Sequence, residues 1–99
     1  MSFYFIAQIK IQDFEEYNKY LKETDEVFNK FDGKYLAVDP SPQVLEGSWA
    51  YDRIVIIQFP NKIKFEQWYT SPEYQKILKY RLNAAQCDSL LVKGLTADL

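Results

Sequence analysis

Residues 52–74 have the sequence DRIVIIQFPNKIKFEQWYTSPEY, which combines a β-branched run, a proline stop and two helix starts. Residues 52–59 are the most strongly β-branched run in the chain and are typical of a central strand that ends at a proline. Asn61 can cap a short helix that runs through Tyr69, and Ser71 followed by proline is typical of a new helix start. The stretch therefore predicts a strand, a short helix and a second helix, in that order.

Two elements are predicted ahead of this stretch. Residues 3–11 contain neither Gly nor Pro and are rich in β-branched and aromatic types, which predicts a strand with both faces partly covered. Asp13 can cap a following helix, and Gly33 is a natural left-handed stop after it. The predicted inner stripe of this helix has spacings of three and four residues and consists of Phe14, Tyr17, Leu21, Thr24, Phe28 and Phe31.

The remaining strands complete the predicted order. Residues 34–38 predict a second strand, which a double-proline loop interrupts and which resumes at residues 43–47. A final short strand is predicted at residues 89–93. The order β-α-β-β-α-β is typical of an α+β, ferredoxin-like subunit, with a four-stranded antiparallel sheet and helices on one face. We expect residues 1–99 to form this single domain.

The predicted strands carry apolar residues on both faces. In the third strand Val55 and Ile57 share one face, whereas Ile54 and Ile56 share the other. Right-handed crossovers place both helical segments on the same face, so the opposite face is left uncovered by its own chain. Because a large exposed apolar sheet face usually marks an interface, we expect two copies to pack these faces together as an obligate homodimer.

Composition excludes several classes of function. Twelve Lys+Arg against 14 Asp+Glu give a net charge of -2, which argues against nucleic-acid binding. The absence of histidine excludes Ser-His and Cys-His nucleophile pairs and imidazole ligands to metal or haem, and the single cysteine excludes an intrachain disulfide and a thiolate zinc cluster. We therefore expect no metal and no cofactor. No signal peptide or membrane span is predicted, so we expect a soluble, cytoplasmic protein with no membrane partner.

Several segments resemble a known family, the domain of unknown function 1330 family. They are Trp68-Tyr69-Thr70-Ser71-Pro72-Glu73-Tyr74, Val44-Leu45-Glu46-Gly47 and Asp52-Arg53-Ile54-Val55-Ile56. The first segment is the most specific, and the similarity extends over residues 4–94. The family belongs to the dimeric α+β barrel superfamily, so the resemblance implies a ferredoxin-like subunit and a homodimer. Its name records no common activity, and the resemblance therefore implies fold and assembly rather than function.

Two arginines occupy otherwise apolar patterns. Arg53 begins the third strand, and Arg81 falls on the inner stripe of the last helix. A buried arginine needs an anion, because an unpaired charge in an apolar interior is costly. Each arginine either pairs with an internal carboxylate, such as Glu46 or Glu73, or binds the carboxylate or enolate oxygen of a small ligand.

Four further residues are candidates for a ligand site. Trp68, Tyr69 and Tyr74 cluster at the junction of the two short helices, where they either pack in the core or form the wall of a pocket for an apolar ligand with one or two oxygens. Glu46 has apolar sequence neighbours and is either a proton acceptor in a buried site or a structural partner of Arg53.

Three functions fit these observations. The first is a homodimer that binds a small aromatic or oxo-acid ligand in a pocket lined by aromatics and arginine. The second is a cofactor-independent monooxygenase or isomerase, as some members of the wider superfamily are. The third is a non-enzymatic structural or accessory dimer, whose aromatic residues all pack in the core. What separates them is whether Arg53, Trp68, Tyr69 and Arg81 line a void or fill one.

Overall fold

Four strands and three helices make up residues 1–95, the part of the chain that the computed structural model describes. The strands are β1 (Phe3–Ile11), β2 (Lys34–Asp39), β3 (Arg53–Phe59) and β4 (Ala85–Lys93), and the helices are α1 (Phe14–Phe28), α2 (Lys62–Tyr69) and α3 (Pro72–Ala84). All neighbouring strands are antiparallel, in the order β2-β3-β1-β4. The helices lie on one side of this sheet, which confirms the predicted α+β, ferredoxin-like fold.

Side-chain caps start all three helices, as predicted. Asp13, Asn61 and Ser71 each accept a hydrogen bond from the backbone N–H three residues later, at 3.1, 2.9 and 3.1 Å. Ser71 also donates its hydroxyl to the carbonyl of Trp68 at 2.8 Å. This one side chain therefore closes the end of α2 and begins α3, which fixes the position of the break between them.

The core lies between the sheet and the helices. On the sheet side it is built from alternate residues of β1 and β3, namely Phe5, Ala7, Ile9, Ile57 and Phe59. On the α1 side the buried residues are Tyr17, Tyr20, Thr24, Val27 and Phe28. The predicted stripe is therefore wrong at Phe14 and Leu21, which are 64% and 37% exposed. Phe14 and Leu21 lie at the edges of the buried face of α1, because Tyr20 and Val27 lie at its centre.

Two predicted strand boundaries are wrong. Residues 43–47 are irregular, because β2 ends at Asp39 opposite Ile54 and the two prolines that follow carry the chain away from the sheet edge. Strand β4 begins at Ala85 rather than Ser89, directly after α3, and its pairing with β1 starts at Ile11.

Gly33 has a different role from the predicted left-handed stop. Helix α1 ends at Phe28, and the φ angle of Gly33 is not positive. A Cβ at this position would lie 2.6 Å from the Phe28 ring and 2.7 Å from the Phe59 ring. Glycine is required here because two core aromatics pack directly against the backbone.

The second sheet face has no helix of the described chain against it. Ala37, Ile56, Ile6 and Leu90 lie in register across all four strands on this face. Leu90 is 61% exposed. Trp49, from the irregular segment before β3, donates its indole N–H to Gln8 Oε1 on the same face at 2.8 Å.

Residues 1–95 contain no helix that is long and apolar enough to cross a membrane.

Candidate functional site

A pocket of about 430 Å³ lies between α1 and the helix-covered face of the sheet. Its floor is formed by apolar residues of β1 and β3, and α1 forms one wall with two tyrosines, Thr24 and Asp25. Trp68 and Arg81 project into it from α2 and α3, and Arg53 does so from the start of β3. The volume is within the range of small-molecule sites, and the lining mixes aromatic and cationic groups.

Both arginines of the chain line this pocket. The Arg53 guanidinium lies over the Tyr17 ring at 5.6 Å from its centroid, and the Arg81 guanidinium lies over the Tyr20 ring at 5.7 Å. Arg81 is 3% exposed. Neither arginine belongs to an ion pair within residues 1–95, so the predicted pairing with Glu46 or Glu73 is not found there. The Nε atoms of both are buried without a hydrogen-bond partner in that part of the chain.

Two buried tyrosines form the wall beside Arg81. The hydroxyls of Tyr20 and Tyr74 are hydrogen-bonded to each other at 2.8 Å. Each hydroxyl carries one hydrogen and the bond between them uses one, so the pair retains a second O–H for another acceptor. Burial raises the pKa of Tyr74 well above its usual range, and it raises the pKa of Tyr17 to about 12 although Arg53 opposes the shift. The Tyr17 and Tyr74 hydroxyls therefore stay protonated at neutral pH.

The opposite end of the pocket is aromatic. Trp68 is 1% exposed and contacts Phe28, Phe59 and Tyr74, with ring centroids 5.7, 5.5 and 4.2 Å away. Thr24, one helical turn beyond Tyr20, is 6% exposed. The indole Nε1 of Trp68 and the Oγ1 of Thr24 are both buried without a hydrogen-bond partner among the described residues.

The structure brings three of the six candidate residues together around the pocket, namely Arg53, Trp68 and Arg81. Tyr74 lies behind this lining, where it supports Trp68 and holds the Tyr20 hydroxyl. Tyr69 is half-buried and stacks on Phe65 at 5.3 Å as part of the core packing. Glu46 lies elsewhere, in the irregular segment before β3, and is exposed. The burial on which its proposed role as proton acceptor depends is absent.

The site prediction from sequence missed the five pocket residues on α1, namely Tyr17, Tyr20, Leu21, Thr24 and Asp25. Three of them are buried in a helix whose other buried residues are Val27 and Phe28. The available signal was Thr24, a polar residue on an otherwise apolar stripe. A threonine hydroxyl in a helix commonly bonds a backbone carbonyl one turn earlier, so this signal alone did not single out Thr24 as a site residue.

The chemistry of this lining favours an anion. Hydrogen-bond donors dominate it, since it holds two guanidinium groups, an indole N–H and hydroxyls, whereas Asp25 contributes a carboxylate on the exposed side of α1. A guanidinium binds a carboxylate through two parallel N–H···O bonds, and the surrounding aromatic walls suit a flat apolar body. The same cations would stabilise the oxyanion of an enolate.

Comparisons with known proteins agree on the fold. The sequence model of a family described as Domain of unknown function (DUF1330) matches residues 2–95. No curated protein matches the sequence. A solved structure of a protein of unknown function from Rhodopseudomonas palustris is 19% identical, covers 96% of this chain and 83% of its own, and superposes with a TM-score of 0.79.

Two other solved structures add context. A dimeric ferredoxin-like protein of unknown function from Jannaschia sp. is 10% identical, with 95% of this chain and 100% of that one covered and a TM-score of 0.78. SnoaB, a cofactor-independent oxygenase from Streptomyces nogalater, is also 10% identical, with 97% and 95% covered and a TM-score of 0.68. At these identities the likeness shows a shared fold.

Proposed function

The chain belongs to the DUF1330 family, and from its own pocket we propose that it works as a homodimer that binds a small aromatic or oxo-acid anion. The observation that carries the proposal is Arg81, a nearly fully buried cation that has no carboxylate partner within residues 1–95. An unpaired buried charge is costly, and proteins normally pair such groups. A ligand carboxylate in the pocket supplies the missing partner.

Arg53, the second arginine that lines the pocket, supports the same anion site. Its guanidinium lies over the Tyr17 ring, and the charges of both arginines act on the Tyr17 hydroxyl. The two cations therefore share one end of the pocket. A carboxylate there accepts charge-assisted hydrogen bonds, and the apolar body extends over the β1 and β3 floor.

A thermal-shift titration tests the anion site. Benzoate and phenylpyruvate are the probes, and we expect each to raise the Tm of the wild-type protein in a saturable manner. Benzyl alcohol, which has the same ring and no charge, is the control and leaves Tm unchanged. The Arg81→Met variant should lose the response to both anions. Equal responses to benzoate and benzyl alcohol, or an undiminished response in Arg81→Met, would refute the proposal.

The uncovered sheet face supports the homodimer. Its central row is apolar across all four strands, and a related fold from Jannaschia sp. is described as dimeric. Packing two such faces together removes this area from water, which stabilises the assembly in proportion to the apolar area. Native mass spectrometry reports the subunit number and any retained ligand in one measurement.

A matched pair of variants tests which face is used. Ile6→Glu places a carboxylate at the centre of the apolar row, and Gln86→Glu places one at the outer end of the same face. We expect Ile6→Glu to give monomers and Gln86→Glu to remain dimeric. A wild-type monomer at micromolar concentration, or a dimer that survives Ile6→Glu, would exclude this interface.

Cofactor-independent oxygenation or isomerisation is the second candidate, and Asp25 is the observation that favours it. Asp25 is exposed but, unlike Glu46, it lines the pocket that also contains two cations, so a proton acceptor and oxyanion-stabilising groups border one cavity. Removal of a proton from an enolisable substrate would give an enolate held by the arginines. Deuterium exchange at the α-carbon of phenylpyruvate, measured by NMR in wild type and in Asp25→Asn, tests this step. Equal exchange rates in the two proteins would exclude Asp25 as the base.

A further inference from the structure

The pocket has two chemically different ends. Arg53 pairs with Ile9 in the sheet register and Ile57 pairs with Phe5, so these two rows are four residues apart along β1. Four residues of strand span about 13 Å at roughly 3.3 Å per residue. The arginines mark the Ile9 end, whereas Trp68 packs on Phe5 at 5.6 Å and marks the other. Helix α1 contacts the same two ends of the pocket. Tyr17, near its start, contacts Arg53, and Phe28, at its end, contacts Trp68.

The aromatic end contains two hydrogen-bond donors that the described chain leaves unused. Trp68 Nε1 and Thr24 Oγ1 are buried and form no hydrogen bond of normal geometry within residues 1–95, although Thr24 lies near enough to the Tyr35 hydroxyl to oppose the rise in pKa that burial causes there. An indole N–H acts as a donor only, so it needs an acceptor. Leaving such a group unsatisfied in the interior costs free energy that a bound acceptor restores. Both residues line the pocket, so an acceptor brought by the ligand reaches this end.

A ligand group that accepts hydrogen bonds at the aromatic end must be uncharged. Both cationic residues that line the pocket in residues 1–95 lie at the other end, and a second anion beside Trp68 would be desolvated among Phe5, Phe28 and Phe59 with no counter-charge. A carbonyl oxygen requires no counter-charge and accepts two hydrogen bonds, which matches the two available donors.

We infer that Thr24 and Trp68 recognise a carbonyl oxygen remote from the anionic group, so that the ligand class is a flat keto or quinone-type carboxylate. This inference rests on the proposed anion site at Arg81, and it assigns specificity to two residues that the anion site does not use. The ligand lies along the pocket with its carboxylate at Arg53 and Arg81 and its carbonyl at the aromatic end.

A matched pair of probes isolates the carbonyl. Para-acetylbenzoate carries a carboxylate and a remote carbonyl, and para-isopropenylbenzoate has nearly the same shape with the carbonyl oxygen replaced by a CH2 group. Dissociation constants for both are measured by isothermal calorimetry with wild type, Thr24→Val and Trp68→Phe. Thr70→Val is the control variant, because it makes the same chemical change at an exposed residue outside the pocket.

We expect wild type and Thr70→Val to bind the acetyl probe about tenfold more tightly than the isopropenyl probe, since one well-made hydrogen bond is worth roughly that factor. Thr24→Val and Trp68→Phe should each reduce this preference, which is measured within each variant as the ratio of the two dissociation constants. Valine has the volume of threonine, so Thr24→Val provides the test even if Trp68→Phe does not fold.

Every other outcome overturns either the inference alone or the inference together with the anion site. Equal binding of the two probes by wild type, or an unaltered preference in Thr24→Val, would overturn the inference and show that water alone satisfies these donors. The anion site would stand in that case, provided that both probes still lose affinity in Arg81→Met. Failure of wild type to bind either probe, benzoate or phenylpyruvate would overturn the anion site and the inference together.

Discussion

Replacing Arg81 by methionine should make the unliganded protein more stable and abolish its response to anions. Arg81 is 3% exposed, and its Nε has no hydrogen-bond partner within the described chain. Taking a cation out of water costs several kcal/mol even after relaxation. The contact with the Tyr20 ring returns about 2 kcal/mol when desolvated. Methionine keeps an unbranched apolar stem of similar reach and removes the charge.

The expected gain follows from these opposing contributions. Replacing buried charged groups with apolar residues of similar volume is neutral or stabilising by about 1–4 kcal/mol, and the lost ring contact places Arg81→Met near the lower end of that range. A gain of about 1 kcal/mol corresponds to roughly 4–8 °C in the Tm of a domain of this size. A ligand at a hundredfold excess over its Kd should add about 2.7 kcal/mol to wild type and nothing to the variant.

Urea unfolding at a fixed protomer concentration, with and without benzoate, measures both effects. Lys79→Met on the exposed side of α3 is the matched control, and we expect it to change stability by less than about 0.5 kcal/mol. Arg81→Lys keeps the charge without the planar fork, so it should gain no stability and bind benzoate more weakly. A loss of about 2 kcal/mol or more in Arg81→Met without ligand would refute the reasoning, because it would show that the fold itself satisfies the guanidinium.

Three further predictions concern packing, the helix break and pH. Gly33→Ala should destabilise the fold by about 1–3 kcal/mol in urea unfolding, because the new Cβ would lie 2.6 Å from the Phe28 ring; unchanged stability would contradict the close approach. Ser71→Ala removes the cap of α3 and a hydrogen bond to α2, so it should cost about 1–2 kcal/mol in the same assay, whereas Ser71→Thr should retain most of the stability. Burial raises the pKa of Tyr17 from 10.0 to about 12. The unfolded chain then loses its proton first, so stability should fall between about pH 10 and 12, and a fall of equal size in Tyr17→Phe would exclude this tyrosine as a cause.

The fold was predictable because its signals are local. The helix starts at Asp13, Asn61 and Ser71 depend on side chains that bond the backbone three residues later, and such caps can be recognised from sequence. Gly33 shows where local reasoning fails. Its requirement comes from Phe28 and Phe59, and the contact with Phe59 arises only when β3 pairs into the sheet.

The two arginines of the site were predictable from the sequence, whereas the pocket residues on α1 were not. Arg53 and Arg81 could be selected because a cation in an apolar pattern is conspicuous in sequence. Thr24 could not, because a threonine hydroxyl in a helix commonly bonds a carbonyl one turn earlier, and its lack of a partner is visible only in three dimensions. The exposed position of Glu46 was equally hidden, because it depends on the irregular path that follows β2.

The excess of donors links the stability of this domain to its proposed function. The Nε atoms of both arginines, an indole N–H and a threonine hydroxyl are buried when residues 1–95 fold, before any ligand binds. A ligand therefore finds cations that are already held in position by aromatic rings such as Tyr17 and Tyr20, so little ordering cost opposes binding. The same arrangement makes the unliganded fold less stable than an apolar replacement would be. Variants that stabilise the free protein at Arg81, Thr24 or Trp68 should accordingly be the variants that weaken binding, whereas stabilising changes on the uncovered sheet face should leave the affinity of the pocket unchanged.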